Sequence, residues 1–297
     1  MFADIERQDR STCTGAASIL LARHSLKRSA GRFVHWALRT TRTCVTGGRT
    51  DYIALSPPFL TRQVVLDRRT GRKATFHVRD ESDYCTLENT FLEEDYRLAR
   101  LARGAEIAER YDRIVKSGRT PLIVDCGANI GLTAAYFSDK FPLAKIVAIE
   151  PNDANLALAR INCRSARVEF RHAGIASECK RGRMVDPGLG NDAFRVAPDP
   201  TGGLDLISVD SILQQPDLAD CEPLIIKVDI EGFEDELYSK NFGWIERFPL
   251  LIMELHDWLL PGRANSRNFL KAIAGLDRDF VFVAGNVFSF ANRLPVS

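Results

Sequence analysis

Val124-Asp125-Cys126-Gly127-Ala128-Asn129-Ile130-Gly131 is the stretch that decides the fold class. It continues an apolar run from Leu122 and precedes a helical pattern around Leu132–Phe141, which indicates a strand, a glycine-containing turn and a helix. Glycine lets the backbone of such a turn approach a ligand closely, and the first turn of the helix offers free N–H groups. The stretch therefore predicts a ligand site at the carboxyl end of a strand.

Short apolar runs alternate with helical patterns after this stretch. A second helix is expected over Asn155–Asn162, because Pro151-Asn152-Asp153 supplies N-cap chemistry. Residues 177–205 break the alternation and predict an irregular insertion or small hairpin near the top of the sheet. Two runs around Gly285-Asn286 predict a C-terminal antiparallel hairpin. The whole pattern predicts an α/β fold, a mostly parallel sheet flanked by helices. Its strands are expected at Leu122–Val124, Ile146–Ile149, Val168–Phe170, Leu224–Val228 and Leu250–Leu255.

The sequence divides into three predicted segments. Residues 1–50 are rich in Arg, Thr and Ser, and we expect a basic, poorly ordered N-terminal extension. Residues 51–118 are expected to form a hairpin around Arg69–Arg72 and a helical cap over 87–116. Residues 119–297 would form the ligand-binding domain. The expected apolar face of the helical cap comprises Leu98, Leu101, Ala105, Ala108, Tyr111 and Val115.

Composition and charge exclude several classes of protein. The 297 residues suffice for one large α/β domain with an extension, and 45% hydrophobic and 27% charged residues are typical of soluble globular proteins. A net charge of +1 argues against a nucleic-acid partner. Residues 1–50 hold nine Lys/Arg against three acidic residues, a charge of +6, which suits peripheral contact with an acidic membrane surface or a partner.

Cysteine usage and hydropathy indicate the compartment. The seven cysteines are scattered and form no C-x-x-C pair, which argues against a disulfide framework or a zinc finger and fits a reducing environment. No stretch approaches the ~20 apolar residues that cross a bilayer. The short apolar run Ala16–Ala22 follows residues of mixed charge, unlike a signal peptide with its positive leader. We therefore predict a cytoplasmic protein without a transmembrane segment.

A second acidic position narrows the identity of the ligand. Glu150 ends the next predicted strand, 23 residues (150 − 127) after Gly127, where a carboxylate can accept hydrogen bonds from ribose hydroxyls. The dinucleotide fingerprint G-x-G-x-x-G would require glycine at Asn129 and Leu132. Asp125, before the first glycine, suits a ligand with a cationic amino-acid portion. These features favour S-adenosylmethionine over a dinucleotide.

Three ordered motifs resemble those of the FkbM-type methyltransferases, over roughly residues 80–260. The motifs are Asp125–Gly131, Ala148–Asn152 and Ile226–Glu234, and Val209–Leu213 and Ile252–His256 also resemble family elements. The resemblance implies a class I methyltransferase fold of Rossmann-like type, S-adenosylmethionine as cofactor and methyl transfer to an oxygen. Family members act on sugar hydroxyls, macrolides and other secondary metabolites, so the resemblance implies a small-molecule or glycan acceptor without identifying it.

The resemblance also implies roles for the residues of the glycine turn and its neighbours. Glu150 would hold the ribose, and Ala173-Gly174 would face the adenine. The methionine part of the cofactor would be surrounded by Asp125, Gly127, Asn129 and Gly131.

Candidate catalytic residues follow two later strands. Methylation of an aliphatic hydroxyl requires proximity to the sulfonium carbon and removal of a proton. Asp229 follows the run Leu224–Val228, and Glu254 and His256 lie at the end of the next run, so both groups reach the ligand edge. His256 is the expected general base, because an ordinary pKa near 6.5 suits proton removal at neutral pH. Asp229 is expected to orient His256, act as the base itself or contact substrate hydroxyls.

Other interpretations of these groups stay open. Asp229, Glu231, Glu254 and His256 could instead surround a divalent cation. Paired carboxylates at a sheet edge more often bond backbone amides or arginines, so the predicted site contains no metal. His256 and Asp229 could also be purely structural. Lys227, within an apolar run, indicates a buried lysine with a charged partner.

Two alternatives to an O-methyltransferase also stay open at the level of function. A nicotinamide-dependent oxidoreductase uses a similar sheet, although the glycine spacing and the terminal hairpin disfavour it. A non-catalytic module that binds S-adenosylmethionine would keep the same fold without the reaction.

Overall fold

The computed structural model describes residues 50–186 and 195–293, and within 31–41 the helical residues Gly31, Val34, Trp36–Leu38, Thr40 and Thr41. The rest of the predicted N-terminal extension, and with it the proposed membrane contact, lies outside the described residues. The chain divides into two compact units, residues 1–84 and 85–297. The domain boundaries that the sequence suggested at residues 50 and 118 stay predictions.

The first unit contains a small antiparallel sheet with the order β1-β2-β3. Its strands are β1 (Tyr52–Ala54), β2 (Arg62–Asp67) and β3 (Lys73–His77). The Asp67 carboxylate accepts hydrogen bonds from the Arg69 backbone N–H (2.9 Å) and the Thr70 hydroxyl (2.8 Å), and Gly71 closes the turn at a φ of 71°. The hairpin that the sequence predicted around Arg69–Arg72 is confirmed, and it joins β2 to β3.

The predicted helical cap over 87–116 is interrupted. Helix α1 (Glu81–Leu87) contains the division between the units and continues as a π-helical turn to Leu92, whereas α2 begins only at Gly104 and ends at Lys116. Between them Glu94 adopts a φ of 52°. The predicted apolar face was wrong for Ala105 and Ala108, because Leu98 and Leu101, from which its spacing was counted, precede the first residue of α2. In α2, Ile107 and Ile114 are buried, while Ala105 and Ala108 are exposed.

A seven-stranded sheet forms the centre of the second unit, with the order β13-β14-β12-β11-β4-β5-β6. After α2 the elements are β4 (Thr120–Cys126), α3 (Leu132–Lys140), β5 (Lys145–Glu150), α4 (Asp153–Asn162), β6 (Val168–His172), β7 (Gly174–Ile175), β8 (Lys180–Val185), β9 (Arg195–Pro198), β10 (Leu204–Ile207), α5 (Val209–Leu213), β11 (Cys221–Val228), α6 (Glu234–Leu237), β12 (Leu250–Glu254), α7 (Arg267–Ala274), β13 (Arg278–Val283) and β14 (Asn286–Ala291).

The pairing of these strands confirms the predicted α/β fold class, a mostly parallel sheet flanked by helices with a C-terminal antiparallel hairpin. β12, β11, β4, β5 and β6 are parallel neighbours, and β14 pairs antiparallel with both β12 and β13. The chain proceeds from β4 to β5 on one side and returns to β11 on the other, so the strand order reverses between β4 and β11. A ligand crevice is expected beyond the carboxyl ends of strands at such a reversal.

A second, four-stranded sheet has the order β7-β10-β8-β9, and its strands lie between β6 and β11 of the central sheet in sequence. Within it β8 and β9 pair antiparallel, which confirms a hairpin in the predicted insertion; residues 187–194 of that insertion are outside the described part. The predicted N-cap of α4 is also confirmed, because the Asn152 side chain accepts a hydrogen bond from the Asn155 N–H at 2.9 Å. No helix among the described residues is long and apolar enough to span a membrane.

Candidate functional site

A cleft opens at the reversal of strand order between β4 and β11. It contains about 530 Å³ of empty space, open solvent included. Three carboxylates contribute to the lining, from Glu150, Asp229 and Glu231. The remaining lining residues are Gly127, Asn129, Ile149, Pro151, Asn155, Ala173, Gly174, Ile175, Val196 and Ile230.

The glycine turn packs directly against the loop after β11. Gly127 has a φ of 87°, and a Cβ atom at this position would lie 1.7 Å from the Asp229 backbone oxygen. Asn129 also adopts a left-handed conformation, with a φ of 46°. Gly131 begins α3 and lies against Ala159, where a Cβ atom would come within 2.8 Å. Glycine is therefore required at 127 and 131 for the close approach of neighbouring backbone segments.

Glu150 connects the glycine turn to the start of α4. Its Oε2 accepts a hydrogen bond from the Asn129 backbone N–H at 2.8 Å, and its Oε1 accepts one from the Asn152 backbone N–H at 2.9 Å. Burial raises the pKa of Glu150, although these two N–H donors act in the opposite direction. Oε1 also accepts a hydrogen bond from Asn155 Nδ2 at 3.4 Å, whereas Oε2 has a further lone pair, so Glu150 can still accept a hydrogen bond from a ligand in the cleft through Oε2.

Lys227 lies beneath the cleft between two carboxylates. Its Nζ donates to the Gly127 carbonyl oxygen at 2.8 Å and lies 3.3 Å from Asp125 Oδ1 and 3.1 Å from Asp229 Oδ2. Burial by itself would lower the pKa of Lys227, but Asp125 and Asp229 raise it well above the usual value. Burial raises the pKa of Asp125, and Lys227 opposes that rise. The buried, paired lysine that the sequence indicated is confirmed.

His256 lies at the centre of a group of carboxylates. Its side chain is 1% exposed, and its Nδ1 is 2.7 Å from Glu234 Oε1, a distance at which the ring N–H donates to the carboxylate. The other ring nitrogen, Nε2, faces three carboxylate oxygens at longer distances. These are Asp229 Oδ1 at 3.5 Å, Glu231 Oε2 at 3.7 Å and Glu254 Oε1 at 3.9 Å.

These carboxylates change the pKa of His256. Burial lowers that pKa, but the hydrogen bond that the ring donates to Glu234 and the charges of Asp229 and Glu231 raise it to about 9. The sequence-based choice of His256 as general base relied on the unperturbed pKa near 6.5. A pKa of about 9 favours the protonated ring at neutral pH, which already holds the proton that a base would accept. The catalytic role of His256 stays a prediction. In the same cluster, burial and then the charge of Asp229 raise the pKa of Glu254 to about 7.

The loop after β11 has an unusual backbone conformation. Glu231 adopts a φ of 53° and Gly232 a φ of 97°. A left-handed conformation is uncommon for a residue other than glycine, and such residues are concentrated at functional sites. The conformation directs the Glu231 carboxylate towards His256 and the cleft.

The predicted site residues occupy two layers. Gly127, Asn129, Glu150, Ala173 and Asp229 line the cleft. The others, Asp125, Gly131 and His256, are not among its lining residues: Asp125 and His256 lie behind it, next to Lys227 and Asp229 respectively, and Gly131 contacts α4.

Sequence reasoning missed several residues of the site. Glu234 is fully buried, and its two oxygens bond His256 and the Asn265 side chain. The quoted motif Ile226–Glu234 contained Glu234, but nothing in its spacing indicated that it would meet a histidine 22 residues later. Ile175 and Val196 line the cleft from the second sheet, and their short strands gave no usable periodicity.

Comparisons with known proteins give limited similarity. No family model matches the chain, and no curated protein matches it. Among solved structures, WbdD is 13% identical with a TM-score of 0.36, covering 63% of this chain and 40% of WbdD. A putative O-methyltransferase from Klebsiella pneumoniae is 14% identical with a TM-score of 0.37, covering 67% and 95%. The plantazolicin methyltransferase BpumL, in complex with SAH, is 9% identical with a TM-score of 0.33, covering 66% and 93%.

The chain thus spans less than half the length of WbdD but most of the other two proteins. Similarity at this level carries no argument about activity. We therefore base the function on the residues that line the cleft.

Proposed function

We propose that the chain is an S-adenosylmethionine-dependent methyltransferase. The observation that carries this proposal is the charge of the cleft: its described lining includes three carboxylates, Glu150, Asp229 and Glu231, and neither lysine nor arginine. A dinucleotide would bring a pyrophosphate with two negative charges into this lining, whereas S-adenosylmethionine brings a sulfonium cation. Coulomb attraction therefore favours the sulfonium ligand, in agreement with the glycine spacing.

The remaining groups of the cleft also fit this cofactor. Asn129 Oδ1 and Asp229 Oδ1 are buried and have no hydrogen-bond partner among the described residues, so they can accept bonds from an ammonium group. Glu150 is available to the ribose hydroxyls. Ile149 and Ile175 provide apolar surface for the adenine, beside the predicted contact at Ala173. When bound, the cofactor supplies an electrophilic methyl group on sulfur.

Within the proposed reaction, Asp229 takes the role of general base. It lines the cleft, its side chain is 21% exposed, and it follows β11 at the expected ligand edge. Protonated His256, 3.5 Å from Asp229 Oδ1, acts as a positioning residue that holds the carboxylate in place. This assignment reverses the sequence-based preference for His256 over Asp229 as the base, because the carboxylates around His256 raise its pKa and favour the protonated ring.

The finer parts of the proposal concern the acceptor and the family. We propose O-methylation of a hydroxyl on a sugar or another small molecule, in a cytoplasmic member of the FkbM-type group. The support is the resemblance of the three motifs, together with a cleft that opens beside a carboxylate base. The experiments proposed for this function also test its two alternatives, a nicotinamide-dependent oxidoreductase and a non-catalytic binding module.

We expect Glu150→Gln to weaken S-adenosylhomocysteine binding about 10- to 100-fold, because a hydrogen bond to a charged group contributes about 1.5–3 kcal/mol. Calorimetry on the full chain gives the affinity. Asp153→Asn is the matched control, since the Asp153 carboxylate is also near the start of α4 but is 86% exposed. Equal affinities for wild type and Glu150→Gln would contradict the ribose assignment.

Transfer of a labelled methyl group from S-adenosylmethionine to a panel of sugars and glycosides tests the reaction. We expect labelled product with the wild type and a loss of turnover of about 10²- to 10⁴-fold in Asp229→Asn. Cofactor binding with no transfer to any acceptor would favour the non-catalytic module. Unchanged turnover in Asp229→Asn would rule out Asp229 as the base.

A further inference from the structure

We propose that Asp229, Glu231 and His256 form a binding site for one divalent cation of the Mg²⁺ or Mn²⁺ type, at the edge of the cleft. One ligand atom from each residue lies within 4.8 Å of the other two. The three residues come from β11, the loop after it and the end of β12, so the fold brings them together from separate segments.

The first argument is the state of one buried carboxylate oxygen and the histidine nitrogen that faces it. Asp229 Oδ1 is buried without a hydrogen-bond partner in the described part of the chain, although buried polar atoms nearly always have one. His256, whose side chain is 1% exposed, directs its Nε2 at this oxygen from 3.5 Å. An unpartnered oxygen and a ring nitrogen at this distance are suited to a shared ligand between them.

The second argument is the orientation of the histidine ring. The Nδ1–H group donates to Glu234 Oε1 at 2.7 Å, and the other oxygen of Glu234 accepts a bond from Asn265 Nδ2. Glu234 therefore fixes the ring so that Nε2 is directed at Asp229 and Glu231. Metal-binding histidines almost always donate the other ring N–H to a carboxylate, a backbone carbonyl or water. A cation at Nε2 would displace the proton that this nitrogen carries in the metal-free chain, so binding releases a proton.

The distances fit a hard cation. Ligands about 2.1 Å from Mg²⁺ in an octahedron lie about 3 Å apart when adjacent. Nε2 is 3.5 Å from Asp229 Oδ1 and 3.7 Å from Glu231 Oε2, so a contraction of well under 1 Å in each distance forms the site. Glu254 Oε1, 3.9 Å from Nε2, is a fourth oxygen within reach.

Charge gives the third argument. Four carboxylates, those of Asp229, Glu231, Glu234 and Glu254, surround His256, and Lys227 contacts Asp229. A divalent cation offsets this excess of negative charge. The left-handed conformation of Glu231 (φ 53°) costs conformational energy, and it turns this carboxylate towards the others.

A cation at this position would contact the cleft through Asp229 and Glu231, which belong to its lining. With the cation bound, Asp229 would act as its ligand, and the cation, in place of the free carboxylate, would lower the pKa of an acceptor hydroxyl. This role rests on the proposed methyltransferase function, whereas cation binding itself does not.

The test uses the full chain, treated with a chelator and dialysed, without cofactor or acceptor. Titration with MnCl₂, followed by electron paramagnetic resonance of free Mn²⁺, is expected to show one bound equivalent that Mg²⁺ displaces. Glu231→Gln is expected to weaken binding at least 10-fold. Glu246→Gln, an exposed acidic residue on the turn before β12, is the matched control and is expected to bind like the wild type.

A second measurement on the wild type covers the case in which Glu231→Gln fails to fold. Bound Mn²⁺ is expected to broaden the ring signals of one of the five histidines, and His256→Gln identifies that signal. Absence of saturable binding at about 1 mM Mn²⁺, unchanged affinity in Glu231→Gln, or broadening of a different histidine overturns the site. Because no cofactor is present, these outcomes are independent of S-adenosylmethionine binding, which calorimetry measures separately.

Discussion

Gly127→Ala is expected to prevent the second unit from folding or to lower its Tm by more than about 10 °C. The added Cβ atom would lie 1.7 Å from the Asp229 carbonyl oxygen, and the residue would have to keep a φ of 87°. Relief requires moving the loops after β4 and β11 apart, which breaks the Asp229 N–H to Cys126 O hydrogen bond of 3.0 Å. Calorimetric melting of the purified variants measures the effect.

Gly118→Ala is the matched control for this substitution. Gly118 also has a positive φ, 81°, but a Cβ atom there would meet nothing within 4 Å. Only the cost of the left-handed backbone applies, about 1 kcal/mol, which corresponds to a fall in Tm of about 2–4 °C. Equal melting temperatures for the two variants would contradict the close contact between the glycine turn and the loop after β11.

Lys227→Met is expected to lower the free energy of unfolding by about 3–5 kcal/mol, because it leaves buried carboxylates without their cation. Asp125 is fully buried and lies 3.3 Å from Lys227 Nζ, and the Gly127 carbonyl oxygen loses a donor at 2.8 Å. Urea denaturation of the wild type and the variant gives the two free energies.

A double substitution separates the charge from the packing. Asp125→Asn with Lys227→Met removes one negative charge along with the lysine, and we expect it to be more stable than Lys227→Met alone by at least about 1 kcal/mol. If Lys227→Met were within experimental error of the wild type, the buried charge pair would not contribute to stability.

The central sheet could be predicted because the strands of a parallel sheet are buried on both faces. Runs such as Ile146–Ile149 are therefore apolar throughout and are recognised from composition. The break before α2 could not be predicted in this way: the φ of 52° at Glu94 accompanies an ion pair with Lys140, a contact that sequence spacing does not indicate. The strands of the second sheet could not be predicted for a similar reason. Strands such as Lys180–Val185 mix charged and apolar residues, and they pair with strands that are distant in sequence.

The position of the site was more predictable than its electrostatics. Gly127, Glu150 and Asp229 each follow or end a strand, and the topology brings such residues to one edge of the sheet. The pKa of His256 depends on Glu234 at the start of α6, a tertiary contact that the sequence did not reveal. Identifying the residues that titrate thus required the structure.

The most direct measurement of the central claim is the affinity of the wild-type chain for S-adenosylmethionine and, separately, for NAD⁺, by isothermal titration calorimetry. The carboxylates Glu150, Asp229 and Glu231 in the lining predict one equivalent of S-adenosylmethionine bound at least about 10-fold more tightly than NAD⁺. Tighter binding of NAD⁺, or no binding of S-adenosylmethionine, would contradict the proposed function.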